Sequence, residues 1–215
     1  DHGGASLHYR LQTDPRSKPK AVAASSFTKL NFMKPPAALI LDRDGTLIEH
    51  VPYLSDPAEV RLLPGVADAL AKAREAGARL FLHSNQSGIG RGLFDISAVH
   101  ACNERMIKLL GTGPTTFDRI CIAPEQPQEP SIYRKPSPNF AREIISEFAY
   151  DPTDVCYIGD RGSDLATARA AGTRGAGVTS GLDDLRAEMR ELGIEGIFPV
   201  FNSLSEAIGY LFPRP

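Results

Sequence analysis

The sequence predicts an α/β protein, a doubly wound parallel sheet with helices on both faces. Three observations lead there. Short apolar runs recur with the length of buried strands, and they alternate with amphipathic stretches of helical length. The cleanest run, residues 37–41, is Ala-Ala-Leu-Ile-Leu and breaks abruptly into Asp42-Arg43-Asp44-Gly45-Thr46. An uninterrupted apolar run followed by charge reads as a parallel strand and its carboxyl end, which is where open α/β sheets bind ligands. Gly45 permits an immediate turn, so the two carboxylates can converge on one cation. The same residues also suit an ordinary Asp/Gly turn.

Taken in order, residues 1–34 carry Gly, Ser, Pro and Lys without sustained periodicity, and Met33-Lys34-Pro35-Pro36 would serve as a natural start. They are expected to be an added or alternative amino terminus, with an extension for self-association as the rival reading, and the domain is expected over 35–215. Residues 47–63 are too broken by Pro52 and Pro57 for a helix and lie beside the first carboxylates, as functional loops do. Pro64-Gly65 then opens a helix with Val66, Ala69, Leu70 and Ala73 on one face, ending at Gly77, and a strand follows over 79–83.

Asp95 is the expected N-cap of a helix to about residue 110 with Val99, Cys102, Met106, Ile107 and Leu110 inward. Residues 118–122 read as a third strand. After a Pro-rich connection over 124–130, Ser137 as cap and Pro138 at the first position announce a helix that buries Phe140, Ile144, Ile145 and Phe148. A strand over 154–158, a short strand near 175–178, a helix over about 182–192, a strand near 197–200 and a last helix over 204–211 complete the alternation.

At 215 residues and 42% hydrophobic content, one domain with a full core is expected. A net charge of -2 with interspersed signs gives no basic stripe, which argues against obligate nucleic-acid binding and against an anionic membrane surface. No apolar run approaches the roughly 18 residues that span a bilayer, and no basic-then-apolar leader is seen, so a soluble cytoplasmic protein is expected. Cys102, Cys121 and Cys156 are widely spaced in apolar surroundings and read as core residues of a reducing compartment. Nothing indicates an oligomeric state.

Four strings carry a resemblance: Asp42-Arg43-Asp44-Gly45-Thr46, then Ser84-Asn85-Gln86-Ser87-Gly88, then Arg134-Lys135-Pro136, then Gly159-Asp160-Arg161-Gly162-Ser163-Asp164. In this order, three of them directly after strand-like runs, they resemble the four motifs of the haloacid dehalogenase (HAD) superfamily of phosphohydrolases. The resemblance spans roughly residues 39–181. It implies a Rossmann-like HAD core and Mg²⁺-dependent hydrolysis of a phosphate monoester. By resemblance Asp42 is the nucleophile that forms an aspartyl-phosphate, and Asp44 the acid and base. Ser84 and Lys135 hold the transferring phosphoryl group. Asp42, the Asp44 carbonyl and Asp160 hold Mg²⁺, with Asp164 supporting the shell. The stretches between motifs are largely consumed by core elements, so no large cap domain is expected.

Within the superfamily the strings are most similar to the branch of heptose bisphosphate and histidinol-phosphate phosphatases. That likeness makes a small phosphorylated metabolite, best a sugar bisphosphate, the expected substrate. It places a substrate loop at His50 to Tyr53, substrate contacts at Asn85, Gln86 and Ser87, and a recognition arginine at Arg134. The branch usually carries a structural zinc before Arg-Lys-Pro, but here the corresponding places read Cys121-Ile122-Ala123 and Ser131-Ile132-Tyr133. A lone cysteine cannot close a tetrahedral site, so no zinc is expected. Nucleic-acid 3′-end phosphatases share the first motif and would need a basic track. A phospho-accepting receiver-type signalling domain would also pair an Asp with Mg²⁺ and a Lys, but Asp44 serves turnover rather than storage.

Overall fold

The structure is a computed structural model that describes residues 34–113 and 115–213. The expected amino-terminal extension therefore lies, except for Lys34, outside the described residues. Six apolar runs become strands: Ala38–Leu41 (β1), Arg79–Asn85 (β2), Arg119–Ala123 (β3), Val155–Gly159 (β4), Arg174–Val178 (β5) and Val200–Phe201 (β6). All pairings are parallel, and the order is β3-β2-β1-β4-β5-β6. β1 lies inside the sheet, as a four-residue run with no polar residue should, and every one of its side chains is buried. In register, Ala38 pairs Arg79 on one side and Val155 on the other. The chain winds outward in opposite directions from β1, so the loops after β1 and β4 diverge and leave a crevice at their carboxyl ends.

The helices are Val66–Glu75 (α1), Ser87–Gly90 (α2), Ile96–Leu110 (α3), Asn139–Glu147 (α4), Gly162–Ala171 (α5), Leu185–Glu191 (α6) and Leu204–Leu211 (α7). Ala38, Ile40, Val155 and Tyr157 pack with Phe140, Ala141 and Ile144 of α4 and Ala168 of α5. Leu39 and Leu41, equally buried, project to the other face through the two-residue period of a strand. Both faces are thus covered. Among the described residues, α1 and α3 occupy the connections on either side of β2, and no lid domain is inserted.

Several expectations shift on local chemistry. β2 continues to Asn85, so the second motif begins inside the strand. In α3, Asp95 caps the Ala98 amide as expected, but Ile107 is only half-buried and Asn103 takes the inward place. The period explains it, since 99, 102, 103, 106 and 110 form one stripe and only the polarity of Asn103 conceals its membership. α4 begins at Asn139, one residue later than expected, and the Ser137 hydroxyl donates to the Ile132 carbonyl. Ile145 and Phe148 are partly buried against the core there. α6 begins at Leu185, capped by Asp184, and leaves Leu182 exposed. The last strand is Val200–Phe201 rather than 197–200, with Ile197 outside.

The three cysteines are buried and unbonded, and burial pushes the thiols of Cys121 and Cys156 up to about 12. No helix among the described residues is long and apolar enough to cross a membrane.

Candidate active site

The chain leaves β1 at Asp42 and turns at Gly45, where φ is 80°, a conformation that costs glycine little. A Cβ there would run into the Asp160 carboxylate, and a Cβ at Gly181 would do the same. These two glycines let neighbouring backbone close down on Asp160, which follows β4. Thr46 adds a long hydroxyl contact of 3.4 Å to its Oδ1.

The floor is a buried charge cluster. Asp42, Asp160 and Asp164 bring carboxylate oxygens within 4.8 Å of one another. The Lys135 ammonium donates to Asp42 Oδ1 at 2.5 Å and meets Asp164 Oδ1 at 2.6 Å. Asp164 Oδ2 accepts the Arg161 amide at 3.0 Å, so this carboxylate also ties down the start of α5. All four side chains are buried, and one ammonium cannot balance three dry carboxylates. The imbalance falls on Asp160, which burial and then the charges of Asp42 and Asp164 push far above the usual carboxylate range. Burial also raises Asp164, against the pull of Lys135. For Lys135 burial opposes the charge, yet Asp164 and Asp42 outweigh it and raise the ammonium above its ordinary value.

Asp160 Oδ2 is buried with no donor facing it among the described residues. An orphan oxygen in an all-oxygen set with excess negative charge suits a hard divalent cation rather than a thiolate-seeking one. Among the described residues, this is the only group of three His, Cys, Asp or Glu side chains gathered closely enough to share an ion. Cys121 belongs to no such group.

One wall is built by Asp44 and the end of β2. Asp44 accepts from Gln86 Nε2 at 2.9 Å and from both Nε and Nη2 of Arg43, while Ser84 lies 3.5 Å away. Gln86 also donates to Ser84 Oγ at 2.6 Å. Asn85 points the other way and clasps the Lys135 backbone, accepting its N–H and donating to its carbonyl. His83, two residues earlier on the same strand face, holds the neighbouring carbonyl of Tyr133 through Nε2, while its Nδ1 meets the Tyr157 hydroxyl. Burial first, then the Lys135 charge, lower the His83 imidazole to about 3. It is therefore neutral, and the lysine-bearing loop hangs on two adjacent rungs of β2.

Above this floor opens a cleft of about 520 Å³. His50, Tyr53, Asn85, Gln86, Ser87 and Arg134 all line it, together with Asp42, Asp44, Lys135 and Asp160. Ser84 and Asp164 lie beneath the lining as buried groups. Tyr53 is exposed at the rim with φ at 54°, an uncommon backbone for a residue with a side chain. Arg134 is anchored by one bond to the Glu125 carbonyl and keeps its other donors.

Sequence reasoning missed Arg161, Ser163 and Phe94 as lining residues. The first two stood inside a quoted motif but between its carboxylates. Arg161 reaches the cleft while its guanidinium is braced by Asp183 and Glu188. Phe94 carried no signal.

An open parallel sheet that gathers carboxylates, a lysine and a hydroxyl beyond the carboxyl ends of β1, β2 and β4 is a site suited to a phosphate ester and a divalent cation. The HAD-hyrolase-like family model matches residues 132–207. The chain is 32% identical over 200 residues to a D-glycero-D-manno-heptose-1,7-bisphosphate 7-phosphatase of Chlorobaculum tepidum, covering 85% of this chain and 98% of that one. It is 34% identical over 135 residues to the D-glycero-beta-D-manno-heptose-1,7-bisphosphate 7-phosphatase of Bordetella bronchiseptica, covering 62% and 75% respectively. The crystal structure of a D,D-heptose 1,7-bisphosphate phosphatase from B. bronchiseptica, complexed with magnesium and phosphate, superposes with a TM-score of 0.73 at 30% identity, over 83% of this chain and 98% of that one. The chain belongs to the HAD superfamily of phosphatases, in the branch that contains these relatives, and is a phosphoric monoester hydrolase.

Proposed function

We propose that this enzyme removes one phosphate from a sugar bisphosphate, with D-glycero-D-manno-heptose 1,7-bisphosphate as the leading candidate, using Mg²⁺ and an aspartyl-phosphate on Asp42. The observation that carries this reading is the Lys135 ammonium bridging Asp42 and Asp164 beside the orphaned Asp160 oxygen. Asp42 is thereby fixed by one oxygen at the mouth of a buried, polarised floor.

In the first step an Asp42 oxygen forms a bond to phosphorus as the ester oxygen leaves, and a proton on Asp44 passes to that oxygen. In the second, water attacks the same phosphorus, gives its proton to Asp44, and breaks the bond to Asp42, releasing phosphate. Asp44 is suited to both because it lies two residues beyond Asp42 and lines the same cleft. Ser84 and Lys135 would hold the phosphoryl oxygens, the lysine exchanging part of its hold on the carboxylates for the substrate. Mg²⁺, held by Asp42, Asp160 and the Asp44 carbonyl with Asp164 in support, would neutralise phosphoryl charge through the displacement.

The remote phosphate would meet Arg134, with His50, Tyr53, Ser87 and Arg161 completing the walls. A guanidinium with donors to spare beside a polar cleft suits a substrate with a second anionic group. The relatives' substrate is the further support. Steady-state kinetics on heptose bisphosphate, histidinol phosphate and a 3′-phosphorylated oligonucleotide, each with Mg²⁺ and with chelator, tests the reading. The bisphosphate should have the highest kcat/KM and chelation should abolish it; preference for the oligonucleotide, or turnover unaffected by chelation, would overturn it.

A further inference from the structure

We infer that Arg43, anchored by Asn103, is a positioning residue that fixes the carboxylate of Asp44 so that its Oδ1 is the oxygen that delivers the proton to the leaving group. Arg43 is only 1% exposed, although it carries a guanidinium and follows Asp42 and precedes Asp44 in the chain. Its Nε donates to Asp44 Oδ2 at 3.0 Å and its Nη2 to Asp44 Oδ1 at 3.1 Å, a two-pronged grip that fixes the plane of the carboxyl group. The remaining prong, Nη1, donates at 3.0 Å to Oδ1 of Asn103 on α3.

Asn103 is otherwise hard to explain. It is buried at 3% exposure on the apolar stripe of α3, between Val99 and Met106, where a hydrophobic residue would pack better. Its Nδ2 is buried without a partner among the described residues. Turning the amide over would set a donor against the arginine donor, so the orphan nitrogen follows from giving its oxygen to Arg43. A buried amide that leaves its own nitrogen unsatisfied serves the guanidinium rather than the helix. With three prongs engaged at both ends, Arg43 has no freedom to swing, and neither has the carboxyl plane it grips.

The division between the two Asp44 oxygens gives the arrangement its consequence. Oδ2 receives Arg43 Nε and Gln86 Nε2, with Ser84 near it, whereas Oδ1 receives Arg43 Nη2 alone. A carboxylate oxygen has room for about two partners, so Oδ1 is the one left with capacity for a proton. Loss of the grip would let the carboxyl rotate and spread that capacity over both oxygens, one of them turned toward Gln86.

This inference rests on Asp44 being the acid of the proposed reaction, and the test separates the two. kcat/KM reports events up to departure of the leaving group, so it isolates the acid step from later hydrolysis. It should be measured with Mg²⁺ on p-nitrophenyl, phenyl and benzyl phosphate, whose leaving groups demand increasing help from a proton and carry no second anion. Asp44→Asn is the reference and should steepen the dependence on leaving group. Arg43→Lys, which cannot grip two oxygens, and Asn103→Ala, which touches neither substrate nor Asp44, should steepen it in the same sense. The p-nitrophenyl to benzyl ratio should rise by about tenfold or more, within the range of a displaced general acid. If Asp44→Asn steepens the dependence while both other variants lower all three substrates in parallel, or leave them unchanged, Arg43 and Asn103 are merely structural and the inference is overturned. If Asp44→Asn itself leaves the dependence flat, the acid assignment falls and takes this inference with it.

Discussion

The floor and the rim of the cleft are built from similar residue types on opposite physical terms. At the floor Lys135, Asp42, Asp160 and Asp164 are buried; Lys135 holds Asp42 and Asp164, Asp164 also takes a backbone amide, and Asp160 has a long contact with the Thr46 hydroxyl. At the rim Tyr53 is exposed, Arg134 is secured by one bond to a carbonyl, and Arg161 is braced by carboxylates away from the chemistry. Charges in a dry site act strongly and need no reorganisation, which suits a group whose charge changes during reaction. Charges at a wet edge act weakly and adapt, which suits recognition of a group that stays the same. The contrast teaches that the bond-breaking and the substrate-reading parts of this cleft should fail differently when cut.

The largest effect should come from Asp42→Asn. The amide is nearly isosteric but is neither a good nucleophile nor an anionic ligand, so turnover should be abolished with the fold retained, as steady-state assay and circular dichroism would establish. Retention of more than a few per cent of the rate would remove Asp42 as the attacking group. Next, Lys135→Ala should lower kcat by on the order of 10² or more for every phosphate ester, because its hold tightens as charge redistributes. A smaller effect is expected for Gly181→Ala, whose Cβ would collide with Asp160. The Mg²⁺ concentration for half-maximal rate should rise by about tenfold, as for other disturbed ligand supports. An unchanged Mg²⁺ titration would show that Asp160 has room to move.

The smallest effect touches stability. The His83 imidazole sits at about 3 in the fold against 6.5 in the unfolded chain, so the unfolded state binds the extra proton throughout that window. His83 therefore favours the fold fully above pH 6.5, and the benefit is lost as pH falls toward 3. The slope from this group approaches about 1.4 kcal/mol per pH unit. Urea unfolding of the wild type and of His83→Gln between pH 7 and 4.5 should give a flatter profile for the variant. Parallel profiles would mean that the ring titrates equally in both states.

Much of this was legible because its signals are local. The alternation of apolar runs and helical stripes gave the sheet its strands, and charge at the end of the most apolar run marked Asp42 before any geometry was known. The edges of elements were less legible, since Ser137 and Leu182 sit where other partners, the Ile132 carbonyl and solvent, outcompete a helical role. Least legible were residues whose purpose is another residue fifty or sixty positions away. Asn103 looks like a blemish in a helix until Arg43 arrives beneath it, and His83 looks like a core histidine until the carbonyl of Tyr133 is placed against it.

The most direct measurement of the division between floor and rim is the pair Lys135→Ala and Arg134→Ala, each assayed on heptose 1,7-bisphosphate and on p-nitrophenyl phosphate. Lys135→Ala should depress kcat on both. Arg134→Ala should raise KM for the bisphosphate by a factor equivalent to about 1.5 to 3 kcal/mol, the worth of a charge-assisted contact, and should spare the aryl ester, which has no second phosphate. Equal damage to both substrates by Arg134→Ala would place that arginine with the floor and contradict the division.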